Sequence, residues 1–368
     1  MEKLVLIDGN AIIHRAYHAL PKTMTTRKGE QTNAVYGFTT TLIKVLEDLK
    51  PEYFAVSFDL AGKTFRHEKY AEYKATRVKA DQELYDQIPR VRQVVEAMNI
   101  PIYEMKGFEA DDVLGTIVAQ MSKSKLQITN KIQITNYKES NQASEASQAN
   151  NLEIYIVSGD KDIYQLIDGN VFVYSLRKGL SQMQVVDRAI IEKEFNLQPE
   201  DFIDLKALAG DASDNIPGVP GIGPKTATTL LQDFDSLKGL YDKIGDVAKP
   251  FEQNFQFSIF NFQSIPNDSI FKQISEKLKI KERLLKLLIE HKDQAFLSQH
   301  LATIHRDVPI DFSLEEARFG EYDRNKLKEL FEELGFVSLL RRFGVVDEKS
   351  GRKPTEEQKK KDSQLKLL

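Results

Sequence analysis

Short apolar runs followed by stretches of helical periodicity dominate the first half of the chain. Residues 4–7, 54–58 and 152–157 form such runs, and apolar side chains then recur at helical spacing after the first and the third. Apolar runs that alternate with helices are typical of parallel strands covered on both faces. We therefore predict an α/β fold with a parallel sheet flanked by helices.

The second half reads as helical. From Val186 the apolar residues recur at helical spacing up to Gly210, and the Gly- and Pro-rich residues 216–227 precede another helix. Two further amphipathic stretches cover residues 284–297 and 327–340. The pattern predicts an α/β domain over residues 1–185 and an all-α domain over residues 186–345.

Three tracts depart from these patterns. Residues 122–151 are rich in Ser, Asn, Gln and Lys and contain a six-residue near-duplication at 125–136, which predicts an inserted loop. Residues 246–275 are rich in Phe, Gln and Asn and suggest a second insertion, partly packed through its aromatic side chains. The Lys- and Glu-rich residues 346–368 are predicted to be a disordered tail.

Composition narrows the possible chemistry. The 368 residues include no cysteine, which excludes disulfides and thiolate zinc sites, and the six histidines are scattered. No apolar run approaches the ~18 residues of a membrane span, so we expect a cytoplasmic protein with no membrane partner. The net charge of −4 hides a basic stretch, because residues 63–79 contain six Lys or Arg and two Glu.

Carboxylates follow the predicted strands and open the helix after residue 109. Because the carboxyl ends of parallel strands meet at one edge of a sheet, we expect these acids to converge. Acids in a first helical turn also have a simpler explanation, since the helix dipole favours each by about 0.3–1 kcal/mol. The candidates are Asp8, Asp59, Glu109, Asp111, Asp112, Asp160, Asp162, Asp211 and Asp214.

So many like charges could not all ionise in one pocket near pH 7 without cations. Oxygen ligands without Cys or clustered His select hard ions, so we predict two Mg²⁺ or Mn²⁺ ions. Such a pair promotes hydrolysis of a phosphodiester by in-line displacement.

The basic stretch predicts a helix with one face of cations and flat aromatic rings. Such a face suits phosphates and stacked bases, although a solvated charged helix is the simpler alternative. Its members are Arg66, Tyr70, Tyr73, Lys74 and Arg77.

The glycine-rich stretch offers backbone N–H groups and a cation to a phosphate. A nucleotide-binding P-loop is the nearest rival, but Pro224 stands where its lysine would be and no strand precedes it. A helix-hairpin-helix that grips a nucleic-acid backbone fits better. The candidate contacts are Gly218, Gly221, Gly223, Lys225 and Thr226.

Six motifs together resemble the 5′-nuclease domain of bacterial DNA polymerases I, in the flap endonuclease family. They are LVLIDGN, VSFD, FRHEKYAEYKATR, GFEADDVLG, VSGDKDIYQL and LAGDASDNIPGVPGIGPKTA. The resemblance covers residues 1–121 and 152–245, and more weakly residues 301–343. It implies a PIN-like (resolvase-like) domain followed by a helix-hairpin-helix domain, with 5′-3′ exonuclease and 5′-flap endonuclease activity in replication and repair.

The resemblance also implies roles for single residues. Asp8, Asp59, Glu109 and Asp111 would bind the first metal, and the other acids would surround the second. Asp111, Lys74 and Arg77 would be catalytic, the two cations drawing the scissile phosphate towards the metals, with Arg15, Arg66 and Tyr73 nearby. The hairpin would track the duplex downstream of the cut, and its backbone carbonyls would bind K⁺, as they can in relatives.

The implied partner is DNA with a 5′ flap, nick or gap, including RNA-primed ends. A monomer associated with the bacterial nucleoid and working with a separate DNA polymerase is expected. A catalytically silent DNA-junction protein is the first alternative, but every expected acid is present. A PIN-type ribonuclease acting on single-stranded RNA is the second, and it normally lacks the hairpin and has about four acids.

Overall fold

One mostly parallel sheet organises the N-terminal part of the protein. The computed structural model describes residues 1–134, 152–178, 182–255, 259–260 and 268–342. Its six strands lie in the order β3-β2-β1-β4-β5-β6, and only β6 runs antiparallel to its neighbour. The strands are β1 (Glu2–Asp8), β2 (Tyr53–Ser57), β3 (Ile102–Tyr103), β4 (Leu152–Ser158), β5 (Val171–Lys178) and β6 (Gln182–Val186).

Helices cover both faces of this sheet, as the apolar runs predicted. Side chains alternate along β1, so that Val5 and Ile7 belong to one buried cluster and Leu4 and Leu6 to another. The predicted α/β sheet flanked by helices is therefore confirmed.

The N-terminal helices are α1 (Gly9–Ala19), α2 (Asn33–Leu49), α3 (Phe65–Lys69), α4 (Gln82–Tyr85), α5 (Ile88–Ala97) and α6 (Ala110–Ile134). A 3₁₀ helix spans Asp162–Leu166. The later helices are α7 (Arg188–Phe195), α8 (Asp201–Ala209), α9 (Pro224–Phe234), α10 (Leu237–Phe255), α11 (Asp268–Leu278), α12 (Glu282–Glu290), α13 (Lys292–Ala302), α14 (Arg324–Leu334) and α15 (Val337–Arg342).

Helix α6 is longer than the sequence predicted. Residues 122–134 continue it, so the prediction of a loop that begins at residue 122 is wrong for this part. Polar composition alone does not end a helix, because Lys and Gln are themselves good helix formers. Residues 135–151, and the predicted tail over residues 346–368, lie outside the described residues.

The helical domain also ends earlier than predicted. After α13 the chain returns to the sheet domain, where Thr116 Oγ1 of α6 accepts the Val308 N–H (3.0 Å) and Gln120 Nε2 donates to the Ile310 carbonyl (2.8 Å). Helices α14 and α15 then bury Phe331 and Leu339 in the same cluster as Val5. The predicted all-α domain over residues 186–345 therefore loses its last 40 or so residues to the sheet domain, which reduces it to α7–α13.

Part of the second predicted insertion belongs to the core of the helical domain. Ile259, Phe271 and Ile274 are buried in one cluster with Leu230 and Leu240. None of the helices in the described part of the chain is long and apolar enough to cross a membrane.

Gly115 lets α6 touch the returning segment closely. A Cβ atom at this position would lie 2.6 Å from Ile304 Cγ2 and 3.0 Å from the His305 carbonyl oxygen. Gly115→Ala should therefore lower the free energy of unfolding by about 1–3 kcal/mol through overpacking, despite the better helix propensity of alanine. Urea denaturation measures the change.

The matched control is Gly320→Ala. Gly320 is exposed and no atom lies within 4 Å of its would-be Cβ, so we expect a change within about 0.5 kcal/mol. Equal stability of the Gly115 variant and the wild type would show that α6 and the returning segment separate at little cost.

Candidate functional site

The ends of β1, β2 and β4 bring three carboxylates to one edge of the sheet. Asp8 ends β1 and caps α1, accepting the Ala11 N–H (3.0 Å) and the Ser158 hydroxyl (2.9 Å). Asp59 follows β2 and accepts the Ala110 N–H (2.7 Å), which ties this strand end to the start of α6. Asp160 follows β4, and its side chain accepts the Asp162 N–H (3.0 Å).

The pKa values show that these acids share one electrostatic environment. Burial, followed by the charge of Asp59, raises the pKa of Asp8 to about 7. Burial and the charge of Asp160 raise the pKa of Asp162 to about 7. Burial and the charge of Asp112 likewise raise the pKa of Asp111. Asp8 therefore lies near enough to Asp59 and Asp160 to feel their charges, and Asp162 near enough to Asp160.

Two cations and a phenol lie against the acids. Lys74 Nζ donates to Glu109 Oε2 at 2.8 Å, and Arg77 pairs with Asp214. The Tyr73 hydroxyl lies between the same two acids, at 3.2 Å from Glu109 and 3.1 Å from Asp214. Lys74 and Arg77 therefore lie directly beside the candidate acids.

Lys206 is a site residue that sequence reasoning missed. Its ammonium group on α8 pairs with both Asp162 and Asp211. Although burial opposes ionisation, Lys206 lowers the pKa of Asp211 to about 2. Its position five residues before Asp211, in the helix that leads to the acidic loop, was the available signal.

The predicted basic helix is wrong. Only Phe65–Lys69 is helical, and residues 71–76 form turns in which Lys74 has φ 55°. The turn is held because the Lys74 N–H donates to the Asp214 carbonyl (2.9 Å). Lys74 and Arg77 reach the acids through this turn instead of through a helical face.

The structure corrects two predicted roles, that of Arg66 in binding DNA and that of Asp112 in binding a metal. Arg66 is 2% exposed, and its guanidinium makes two hydrogen bonds to the Asp112 carboxylate, at 2.7 and 2.8 Å. Asp112 is fully buried and also accepts the N–H groups of Glu109 (3.0 Å) and His305 (2.8 Å). Both side chains direct their hydrogen bonds to partners inside the protein, and this arrangement does not support the predicted direct contacts with DNA and metal.

The predicted aromatic contacts to DNA also need correction. Tyr73 is buried and packs against Ile216 and Leu301, so it has no free ring face for a base. Tyr70 packs at the edge of the same cluster and is half-buried.

Arg15 on α1 lies over Gly159, with Nη1 3.2 Å from the position of a would-be Cβ.

Gly218 shapes the hairpin and does not contact a phosphate, which corrects its predicted role. Its φ is 59°, and a Cβ there would lie 2.2 Å from the Gly210 nitrogen. Its N–H donates to Ser298 Oγ (3.0 Å) and its carbonyl accepts from Gln294 Nε2 (2.7 Å). Both partners belong to α13, which therefore holds the hairpin in place.

The rest of the hairpin faces solvent at the start of α9. Gly221, Gly223 and Lys225 are exposed and Thr226 is half-buried. The first helical hydrogen bond runs from the Ala227 N–H to the Gly223 carbonyl (3.0 Å), so the N–H groups of Lys225 and Thr226 lie ahead of it. The helix-hairpin-helix arrangement is as predicted, with α9 beginning at Pro224.

The acids suit hydrated hard cations better than a closed cage. Within the described residues, no three carboxylate or imidazole side chains are already arranged around one point that could hold a metal ion. Several of the acids instead form ion pairs with Lys74, Arg77 and Lys206. Mg²⁺ commonly binds through one or two carboxylates and keeps several waters, so the donor chemistry fits this ion.

Known structures share the fold. A complex of the bacteriophage T5 flap endonuclease with DNA and metal ions has a TM-score of 0.53 at 17% sequence identity, covering 91% of this chain and all of that one. The catalytic core of Rad2 in complex with DNA substrate has a TM-score of 0.51 at 14% identity, covering 94% and 93%. At these identities the likeness is one of fold.

Sequence relatives give the family. DNA polymerase I of Bacillus subtilis is 36% identical over 343 residues, and DNA polymerase I of Caldicellulosiruptor bescii is 36% identical over 349 residues. These matches cover 93% and 94% of this chain but 32% and 34% of the relatives, so the chain spans about a third of their length.

Two family profiles cover most of the chain. The N-terminal resolvase-like domain of 5′-3′ exonucleases matches residues 3–135, and their C-terminal SAM fold matches residues 197–325. The first profile corresponds to the sheet domain, which is resolvase-like, and the second corresponds to the helical domain. The chain therefore belongs to the 5′-3′ exonuclease family, as its six motifs predicted.

Proposed function

We propose that this chain is a metal-dependent 5′-nuclease that hydrolyses DNA phosphodiesters at 5′ flaps, nicks and gaps. RNA-primed ends are included among its substrates. The observation that carries the proposal is the convergence of Asp8, Asp59, Asp160 and the first turn of α6 beside Lys74 and Arg77. A negatively charged pocket flanked by cations can hold metal ions and a phosphate side by side.

We propose Asp8, Asp59, Glu109 and Asp111 as the first metal set, with Asp160, Asp162, Asp211 and Asp214 around a second. Two bound Mg²⁺ or Mn²⁺ ions would supply an activated water and stabilise the departing oxygen of an in-line displacement. The raised pKa values of Asp8 and Asp162 support this proposal, because a divalent cation would offset both causes of the shift, which are burial and, after it, the charge of a neighbouring acid.

Lys74 and Arg77 would position the scissile phosphate. Both side chains now neutralise Glu109 and Asp214, and a phosphate that arrives with its cations can take over these contacts. Arg15, which lies against Gly159, would contact the same backbone. The protein thereby exchanges internal ion pairs for contacts to the substrate.

The hairpin would hold the duplex at a fixed distance from the cut. Lys225 and the free N–H groups at the start of α9 suit a backbone phosphate. A K⁺ ion would bind the carbonyls of this loop, where the Gly218 and Val219 oxygens already accept from Gln294 and Ile222. Because the curated relatives are DNA polymerases I, we further propose that the nuclease works beside a DNA polymerase.

The two alternative functions lack support in the site. A silent DNA-junction protein would need missing acids, but all nine candidate acids are present in the sequence. A nuclease for single-stranded RNA would not need the hairpin, which α13 holds with two hydrogen bonds. That the protein is a monomer in the cytoplasm remains a prediction from the sequence.

Asp111→Asn and Asp160→Asn test the proposed activity. Each removes one negative charge without changing the shape of the side chain, so we expect cleavage of labelled 5′-flap DNA with Mg²⁺ to fall at least about 100-fold. The wild type should cut this flap faster than single-stranded RNA or blunt duplex of the same sequence.

Glu47→Gln is the matched control, because Glu47 pairs with Arg342 on α2 and α15, outside the acidic pocket. It should cleave like the wild type. Undiminished flap cleavage by both Asp variants, or a wild type that prefers single-stranded RNA, would refute the proposed function.

Lys225→Met tests the hairpin contact. If Lys225 neutralises one phosphate, the variant should bind flap DNA more weakly, and the slope of log K against log salt should lose about 1 in magnitude. Fluorescence anisotropy in EDTA at several salt concentrations measures this slope without cleavage.

The exposed Lys328 on α14 supplies the control, Lys328→Met. Its slope should equal that of the wild type. If the Lys225 variant also keeps the wild-type slope, the hairpin does not bind a phosphate through this residue.

A further inference from the structure

A buried ion pair between Arg66 and Asp112 lies beside the proposed metal site, with Arg66 Nη1 3.6 Å from Glu109 Oε2. Arg66 uses Nη1 and Nη2 on Asp112, while its Nε and Nη2 donate to the carbonyls of Leu301 (2.9 Å) and Thr303 (2.9 Å). Arg66 thereby joins α3, the start of α6 and the end of α13.

Asp112 in turn fixes the first turn of α6. Its carboxylate reaches back to the Glu109 N–H (3.0 Å), which is the reciprocal half of a capping box. The same carboxylate accepts the His305 N–H (2.8 Å) from the returning segment. Asp112 therefore fixes the backbone of Glu109, and with it the geometry of Asp111. Arg66 and His305, which lie outside the helix, in turn hold Asp112.

Separating Arg66 from Asp112 would cost considerable free energy. Both side chains are at most 2% exposed, and a buried charge that loses its partner is costly. A lysine in place of Arg66 would keep the charge but could not supply the planar set of donors that reaches one carboxylate and two carbonyls.

We propose that Arg66 and Asp112 are positioning residues, which hold Glu109 and Asp111 in the geometry that binds divalent ions. The proposal rests on the proposed function. It assigns Asp112 an effect on metal binding that acts through the backbone of α6 and not through a metal–oxygen bond. Partners outside the first shell of a metal commonly change its affinity or the activity about 10- to 100-fold.

Arg66→Lys is the decisive variant, because it leaves every carboxylate in place. Isothermal calorimetry with Mn²⁺ alone, without DNA, should show affinity lowered about tenfold or more. With flap DNA and saturating Mg²⁺, kcat should fall while KM for DNA changes less than about threefold, since no DNA-contacting group is altered. All measurements are made well below the thermal midpoint of each variant.

Asp112→Asn and the double variant complete a cycle. If Asp112 acts through Arg66, the double variant should bind Mn²⁺ about as weakly as the weaker single variant. Arg90→Lys is the control, because Arg90 also holds a carboxylate with two nitrogens, at 2.7 and 3.0 Å from Glu30. It should bind Mn²⁺ like the wild type.

Three results would overturn the inference. Normal Mn²⁺ affinity in Arg66→Lys with loss in Asp112→Asn would make Asp112 a direct ligand. Additive losses in the double variant would mean the same. A lowered thermal midpoint with unchanged Mn²⁺ affinity in both single variants would make the pair merely structural. A wild type that binds Mn²⁺ but cuts no flap DNA would refute the proposed function and leave this test intact.

Discussion

Repulsion among carboxylates is the constraint on which the rest of the site depends. Asp8, Asp59 and Asp160 lie at one edge of the sheet, and burial together with the charges of neighbouring acids raises the pKa of Asp8 and of Asp162 to about 7. The protein offsets part of this repulsion with its own cations, Lys74, Arg77 and Lys206. A pocket held in this balance favours binding of divalent cations and of the phosphate that accompanies them.

Helix α13 is one of the links between the helical domain and this pocket, beside the ion pair of Lys206 with Asp162 and the hydrogen bond from the Lys74 N–H to the Asp214 carbonyl. The hairpin hangs from α13 by the contacts of Gly218 with Ser298 and Gln294, and the far end of α13 meets Arg66. The same chain then runs back along α6 and reaches the sheet. A nucleic-acid backbone bound by the hairpin would therefore lie at a distance from the acids that these contacts fix.

The strands and the acids were predictable from sequence, and the partners of the acids were not. An apolar run such as residues 54–58 predicts a strand that is buried on both faces of a sheet. Parallel pairing with its neighbour then brings the end of this strand to the same edge as the other strand ends. The periodicity of residues 66–77 predicted a helix, but the long-range bond from Lys74 to Asp214 imposes a turn. Asp111 and Asp112 look alike in sequence, yet only the second meets a buried arginine 46 positions away. Gly335, with φ 75°, likewise divides the predicted helix over residues 327–340 into two.

The central claim is that these acids hold two divalent ions against a DNA phosphate. The most direct measurement is anomalous diffraction from crystals of the wild-type protein grown with Mn²⁺ and a non-cleavable 5′-flap duplex. The account predicts two anomalous peaks about 3.5–4 Å apart, between the ends of β1, β2 and β4 and the first turn of α6, with a phosphate beside them. Peaks elsewhere on the molecule, or a flap phosphate bound away from Lys74 and Arg77 with no manganese nearby, would contradict it.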